Sequence, residues 1–455
     1  MKRRIRLNPP QMIVLSFLFV ILIGSLLLNL PMATNSNTSP GFINSLFTAT
    51  SATCVTGLIV KDTGSFFSPF GRLIILCLIQ AGGLGIMTFS TMFAILLGRK
   101  LSISHGVTVK STLGQTRIEG FKNLVLYIIV FTFSVELIGA LLLYMRWATT
   151  FGWSGLIGAE RAIFHAISAF CNAGFSLFSS SLMAFRSDHV TATIFSILII
   201  AGGMGFVVFL DIPKLTFWRR DRALIPSRIS LQTKIVFLVT IFLILAGALG
   251  VYVFENGYAL KDMPLKEKIT SCLFTSITPR TAGFNILRTG ALRPVTLFML
   301  IILMFIGASP GSTGGGIKTV TFGIIIAGLF SMLYNRDRIT LFKKTIPRET
   351  YRRAAVILLL GLGIVAGSTF LLSATESAAA QSSRYFLSIL FEVTSAFGTV
   401  GLSTGITPYL TKLGRLIIIC TMFIGRVGPL TIALAIAMRK DKIDCRYPEE
   451  KLMVG

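Results

Sequence analysis

One short pattern recurs four times along this 455-residue chain at nearly regular intervals, so the fold must give four similar units similar surroundings. The copies read Ser-Ala-Thr-Cys-Val-Thr-Gly-Leu at 51–58, Ser-Ala-Phe-Cys-Asn-Ala-Gly-Phe at 168–175, Ser-Ile-Thr-Pro-Arg-Thr-Ala-Gly-Phe at 276–284 and Ser-Ala-Phe-Gly-Thr-Val-Gly-Leu at 395–402. Their glycines, Gly57, Gly174, Gly283 and Gly401, lie 117, 109 and 118 residues apart. A partly apolar stretch precedes each copy, at 42–50, 161–167, 268–275 and 385–394, and none is long enough to cross a bilayer. The third copy carries one extra residue between its serine and its glycine.

Longer apolar stretches flank every copy. They lie at 12–30, 73–97, 124–145, 190–210, 235–253, 295–330, 354–372 and 416–438, each able to cross about 30 Å of hydrocarbon. With 53% hydrophobic and 13% charged residues, the chain has too little polar surface for a soluble globule of its size. The repeating unit is therefore helix, half-helix, glycine loop, helix. The sequence predicts an all-α polytopic membrane protein with four helix–pore-helix–loop–helix repeats in a pseudo-fourfold arrangement around one pore. The repeats span 1–110, 111–225, 226–345 with a broken second helix, and 346–455 with a cytoplasmic C-terminal tail.

A net charge of +25 would suggest nucleic acid in a soluble protein, but here Lys and Arg gather between apolar stretches, and position explains them better. Clusters at 2–6, 99–122, 214–234, 336–353 and 439–451 hold most of the 43 basic residues and place both termini in the cytoplasm. The apolar stretch after Lys2 is long for a signal peptide, and Leu30-Pro31 offers no small-residue cleavage site, so it is predicted to remain as the first helix. Cys54, Cys77, Cys171, Cys272, Cys420 and Cys445 are scattered without a CxxC pair and are predicted to be free thiols.

Backbone at membrane depth must be satisfied by protein or by water, so glycine loops there should line an enclosed path. Packing of small residues between helices would explain one such loop but not four in register. Rings of backbone carbonyls can replace the hydration shell of a potassium ion. The candidate filter residues are Val55, Thr56 and Gly57; Asn172, Ala173 and Gly174; Thr281, Ala282 and Gly283; and Thr399, Val400 and Gly401. Half-helices ending at the loops would aim the negative ends of their dipoles at the cation. Gly311, Ser312, Thr313, Gly314, Gly315 and Gly316 cannot hold a regular helix well, and they split a stretch much longer than one span; they are read as a gate loop. The string ending in Lys318-Thr319 resembles a phosphate-binding loop, but Ile317 interrupts it and the setting is wrong.

Arg426 lies inside an apolar stretch and is the candidate companion of that loop. Glu136 is read as a hydrogen-bond partner of a neighbouring helix, Glu392 as an anchor for a filter loop and His165 as a packing residue. A secondary transporter with two rocking repeats is the rival class. A membrane enzyme is disfavoured, because no set of catalytic groups converges on one segment.

Thr-Pro-Arg-Thr-Ala-Gly-Phe at 278–284, Ser-Ala-Phe-Gly-Thr-Val-Gly-Leu at 395–402, Met-Phe-Ile-Gly-Arg-Val-Gly-Pro-Leu at 422–430 and Arg-Tyr-Pro at 446–448 resemble the KtrB branch of the Trk/Ktr/HKT superfamily. TrkH proteins carry additional N-terminal helices, whereas here the first repeat begins after Arg6, so the KtrB type fits better. The resemblance implies a bacterial plasma-membrane homodimer that takes up potassium under sodium stimulation. It also implies no cofactor in this chain, and a cytosolic ring of KtrA-type subunits that bind nucleotide and switch the pore. Gly311 to Gly316 would be the intramembrane gate loop with Arg426 beside it, and the loop is richer in glycine than those of the branch. Members with Ser for the first filter glycine tend to pass sodium; Gly57 resembles the potassium-selective pattern, and a sodium-permeable member is the alternative within the superfamily.

Overall fold

Helix signals recur at equivalent places in the four repeats. In the computed structural model, residues 9–85, 121–211, 229–336, 338–376 and 383–436 are described. The basic clusters near both termini and around 99–117 and 214–228, Cys445, the Arg-Tyr-Pro end and the repeat boundaries near 110 and 225 lie outside them.

Each repeat opens with a long apolar helix: α1 (Pro9–Leu28), α4 (Phe121–Phe151), α8 (Leu231–Glu255) and α12 (Arg348–Thr375). All four are long and apolar enough to cross a membrane. Their outer faces expose Phe19, Leu137, Phe242 and Phe370 by 61–74%, as a lipid-facing surface should. The half-helices follow: α2 (Phe42–Thr53), α5 (Gly155–Phe170), α9 (Leu265–Ile277) and α13 (Ser383–Gly398). Each packs on the long helix that precedes it.

The helices after the loops are α3 (Pro69–Leu84), α6 (His189–Met204) continued by α7 (Phe206–Asp211), α10 (Pro294–Phe305) followed beyond a loop by α11 (Thr319–Leu333), and α14 (Lys412–Val427) continued by α15 (Pro429–Ile436). Their starts are marked chemically. Proline opens α3 and α10, and Ser68, Asp188 and Thr411 accept hydrogen bonds from the first-turn amides of α3, α6 and α14. Only the third of these helices was expected to break. In fact α6 and α14 also break, at Gly205 (φ 84°) and Gly428 (φ 95°), and α3 stops at the equivalent Gly85 (φ 74°). A single residue of positive φ cannot continue a right-handed helix, yet it leaves the hydropathy of the stretch unchanged.

The packing runs around a ring. Each post-loop helix contacts the half-helix of the next repeat: α3 on α5, α6 on α9, α10 on α13, and α14 back on α2. The apolar core is shared in the same way, one cluster joining Phe47 and Leu58 of the first repeat to Phe397 and Met422 of the fourth. The repeats are thus parts of one body. A two-stranded hairpin, β1 (Thr340–Leu341) and β2 (Lys344–Thr345), with register Thr340 to Thr345, connects α11 to α12.

Candidate functional site

All four loops leave their half-helices by the same backbone route. The first residue of each is left-handed, Val55 at φ 56°, Asn172 at 58°, Thr281 at 73° and Thr399 at 50°. The second is not, and the third is a glycine at φ 90°, 69°, 78° and 91° for Gly57, Gly174, Gly283 and Gly401. Alternating the sign of φ turns successive carbonyls toward one side. A non-glycine residue held at positive φ costs about 1–3 kcal/mol, and a β-branched one such as Val55 is a true outlier, so the surroundings must impose the shape.

Hydrogen bonds do so. The amides of Thr56, Ala173 and Val400 donate to the carbonyls of Ser51, Ser168 and Ser395 at 2.7–2.8 Å. Ser51 and Ser395 also accept from the amides of Gly57 and Gly401, both at 3.1 Å, and Ser168 donates to the Phe175 carbonyl at 2.7 Å. In the third repeat Thr278 takes over: its carbonyl accepts from the Ala282 amide at 2.9 Å and its hydroxyl donates to Phe284 O at 2.5 Å. Ser276, which the sequence pattern aligns with the other serines, donates instead to Ile244 O on α8 at 2.7 Å. The extra residue is absorbed by this shift.

The glycines face one another across a closed ring. A methyl group on Gly57 would strike the Ala173 carbonyl oxygen and Gly174; one on Gly174 would strike Ala282 and Gly283. On Gly283 it would strike Val400 and Gly401, and on Gly401 it would strike Thr56 and Gly57. Backbone meets backbone at every junction, with no side chain between. The twelve candidate residues of the four loops therefore lie together around one centre. The half-helices end immediately before them, which places four partially negative C-termini around the same centre.

Residues 306–318 between α10 and α11 lie against the lower end of this ring. The Gly315 amide donates to Thr399 Oγ1 at 2.9 Å, Asn172 hydrogen-bonds Thr313 Oγ1 at 3.2 Å, and a methyl on Gly314 would strike Thr281 Oγ1. Asn172, Thr281 and Thr399, the first residues of three of the four glycine loops, thus touch residues 313–315. On its flank, the amides of Ser309 and Thr313 donate to the carbonyls of Gly203 (3.1 Å) and Gly202 (3.3 Å), and Phe206 N donates to Gly311 O at 3.0 Å. Those carbonyls are available because α6 breaks at Gly205. Arg426 donates one guanidinium nitrogen to Thr313 O and another to Gly82 O of the first repeat. Lys318 Nζ donates to Gly314 O at 2.6 Å. Residues 311–316 and Arg426 thus lie together against the four glycine loops, and Lys318, which the sequence disclosed only inside a string resembling a phosphate-binding loop, joins this set.

The other singled-out residues have structural partners. Glu136 accepts from Gln80 Nε2 at 3.1 Å, joining α4 to α3 as expected. Glu392 accepts from Ser403 Oγ (2.5 Å), Thr404 N (3.0 Å) and Thr407 Oγ1 (2.9 Å), which ties down the chain just after the fourth loop. His165 packs edge-on to Trp147 and also holds the chain after the second loop, its Nε2 lying 3.0 Å from Ser176 Oγ. Sequence reasoning missed two further anchors, Glu255 and Glu376. They accept the Arg293 amide at 2.9 Å and the Thr411 amide at 3.0 Å, at the starts of α10 and α14. Cys54, Cys77, Cys171, Cys272 and Cys420 are free.

Four helices of membrane-crossing length, with four glycine loops closed into one ring, make this an integral membrane protein, and comparison with known proteins gives its class. Residues 5–444 match the TrkH family model, described as cation transport protein, and the chain belongs to this family. It is 40% identical to the Ktr system potassium uptake protein B of Bacillus subtilis, over 99% of this chain and 98% of that protein. It is 37% identical to the potassium/sodium uptake protein NtpJ of Enterococcus hirae, over 100% and 99% of the two chains. The crystal structure of the potassium transporter TrkH from Vibrio parahaemolyticus superposes with a TM-score of 0.71 at 16% identity, covering 96% of this chain and 86% of that one, a likeness of fold.

Proposed function

We propose that this chain is the pore subunit of a bacterial potassium uptake system, with the twelve loop residues as a carbonyl-lined filter and residues 311–316 as its gate. The observation that carries the reading is the closed ring of four alternating-φ loops, in which each glycine abuts the next repeat's backbone. Potassium, as cargo, would exchange its water shell for carbonyls of these segments. The gate loop lies across the way out, hydrogen-bonded to Asn172, Thr399 and Arg426 and in contact with Thr281, and the charge of Arg426 opposes a cation. The Ktr-system names of relatives support a regulated complex. In it, a homodimer sits on a cytosolic ring of KtrA-type subunits that carry the nucleotide, with sodium as activator and both termini cytoplasmic.

Growth of a potassium-uptake-deficient bacterial strain at low potassium tests this reading. Expression of the chain with a KtrA-type partner should restore growth, and failure of that pair with any such partner, with the protein present in the membrane, would reject it. A sodium-permeable variant of the same pore is the second reading, favoured by the name of the Enterococcus relative. Potassium and sodium fluxes of the reconstituted protein separate the two.

A further inference from the structure

Away from the ring, α8 and α11 leave between them an apolar groove of about 450 Å³, walled by Leu238, Phe242, Phe322, Ile326, Ala327 and Phe330. Its size lies within the range of about 300–1,000 Å³ typical of sites that enclose small ligands. The groove is not isolated. Ser331 and Arg336 at its end also line a second, open cavity of about 930 Å³, where they are joined by Arg338, Arg348 and Arg352. One chamber is apolar, and the adjoining one is lined by four arginines where α11 ends and α12 begins.

None of the four arginines is paired with a carboxylate among the described residues; the neighbouring Arg353 is the one that takes Glu349. The 28-residue helix α12 starts at Arg348, so its positive dipole end adds to the field. The turn that carries Arg336 and Arg338 is fixed by Ser331 Oγ, which donates to Arg338 O at 3.0 Å. Aromatic rings stand at the junction with cations above them, Lys234 Nζ 5.6 Å from the Phe342 ring and the Arg336 guanidinium 5.7 Å from Tyr334. Aromatic and basic residues together mark the level at which lipid headgroups meet the hydrocarbon.

The occupant must offer a hydrocarbon chain to the groove and, a few ångströms away, an anion with several acceptor oxygens to the arginines. A diffusible phosphate lacks the first part, and a choline lipid brings its own ammonium against four like charges. We propose that groove and cavity form one binding site for an anionic glycerophospholipid, with an acyl chain between α8 and α11 and the headgroup phosphate among Arg336, Arg338, Arg348 and Arg352.

Native mass spectrometry of the delipidated full-length protein tests the site, with phosphatidylglycerol, phosphatidylcholine and inorganic phosphate as probes. Wild type should retain phosphatidylglycerol about tenfold more tightly than phosphatidylcholine, a difference of about 1.4 kcal/mol. The triple variant R338Q/R348Q/R352Q should lose that preference. Ala327→Phe, which fills the groove, should weaken full-length phosphatidylglycerol but leave a short-chain form of the same headgroup unaffected. Equal retention of the two lipids by wild type would overturn the proposal. So would displacement by inorganic phosphate with Ala327→Phe without effect, which marks a soluble-anion site. A change in dimer mass in Ala327→Phe with lipid binding intact would also overturn it, since the groove would then belong to a second copy.

Discussion

Arg426 holds two carbonyls that belong to different repeats; Gly82 O also accepts from the Gly85 amide at 3.2 Å, so removing the guanidinium strips Thr313 O of its donor. An abandoned buried acceptor costs about 1–3 kcal/mol. Because these bonds fasten the loop beneath the ring, that cost falls on the closed state. Arg426→Ala should therefore raise potassium leak of the reconstituted pore without its regulator by roughly tenfold or more, using the equivalence of about 1.4 kcal/mol per factor of ten. Wild-type leak would make Arg426 a packing residue. Gly57→Ser acts one layer higher, where a side-chain carbon must share space with Ala173 O at φ 90°. A strain of about 1–2 kcal/mol at one wall of a ring should lower the potassium-over-sodium flux ratio by about 5- to 30-fold. An unchanged ratio would remove Gly57 from the filter. Both residues are legible in the sequence, one as a charge in an apolar stretch, the other as a recurring glycine. Lys318 and Thr278 are not: a lysine beside a helix start has many ordinary uses, and Thr278 takes the serine's part only because an inserted residue moves Ser276 onto α8.

At the level of elements, the loop at 311–316 and the breaks at Gly205 and Gly428 form one construction. Breaking α6 frees the carbonyls of Gly202 and Gly203 for the loop, and Arg426 lies in the last turn of α14 just before its own break. The six-residue glycine-rich run announces itself in sequence, since no helix tolerates it. The single glycines do not, because a hydropathy window averages over them and each looks like a small packing residue. Deleting Gly314 to Gly316 removes the amide donated to Thr399 and the carbonyl held by Lys318, together with the backbone that fills the space under Thr281. The shortened loop cannot span the same contacts, so unregulated potassium flux should rise in proteoliposomes. A deletion variant that folds as a monodisperse protein and leaks no more than wild type would show that another element closes the pore.

The four-repeat plan was readable from spacing alone, but which repeat neighbours which was not, since spacing along a chain carries no direction in space. The packing supplies it. Each post-loop helix lies on the next half-helix and the fourth returns to the first, so any two halves of the molecule share two such interfaces. Rocking of halves, as an alternating-access carrier requires, would open both interfaces, whereas displacing the loop at 311–316 opens none of them. The molecule should therefore conduct as a pore once the loop is displaced, with no obligatory second ion. Measured on the loop-deleted protein in a planar bilayer, the reversal potential should follow the potassium gradient by about 59 mV per tenfold change at constant sodium. A carrier moving one sodium with each potassium would halve that slope, because the same change in gradient would then act on two charges. Such a slope would mean that the ring comes apart during transport.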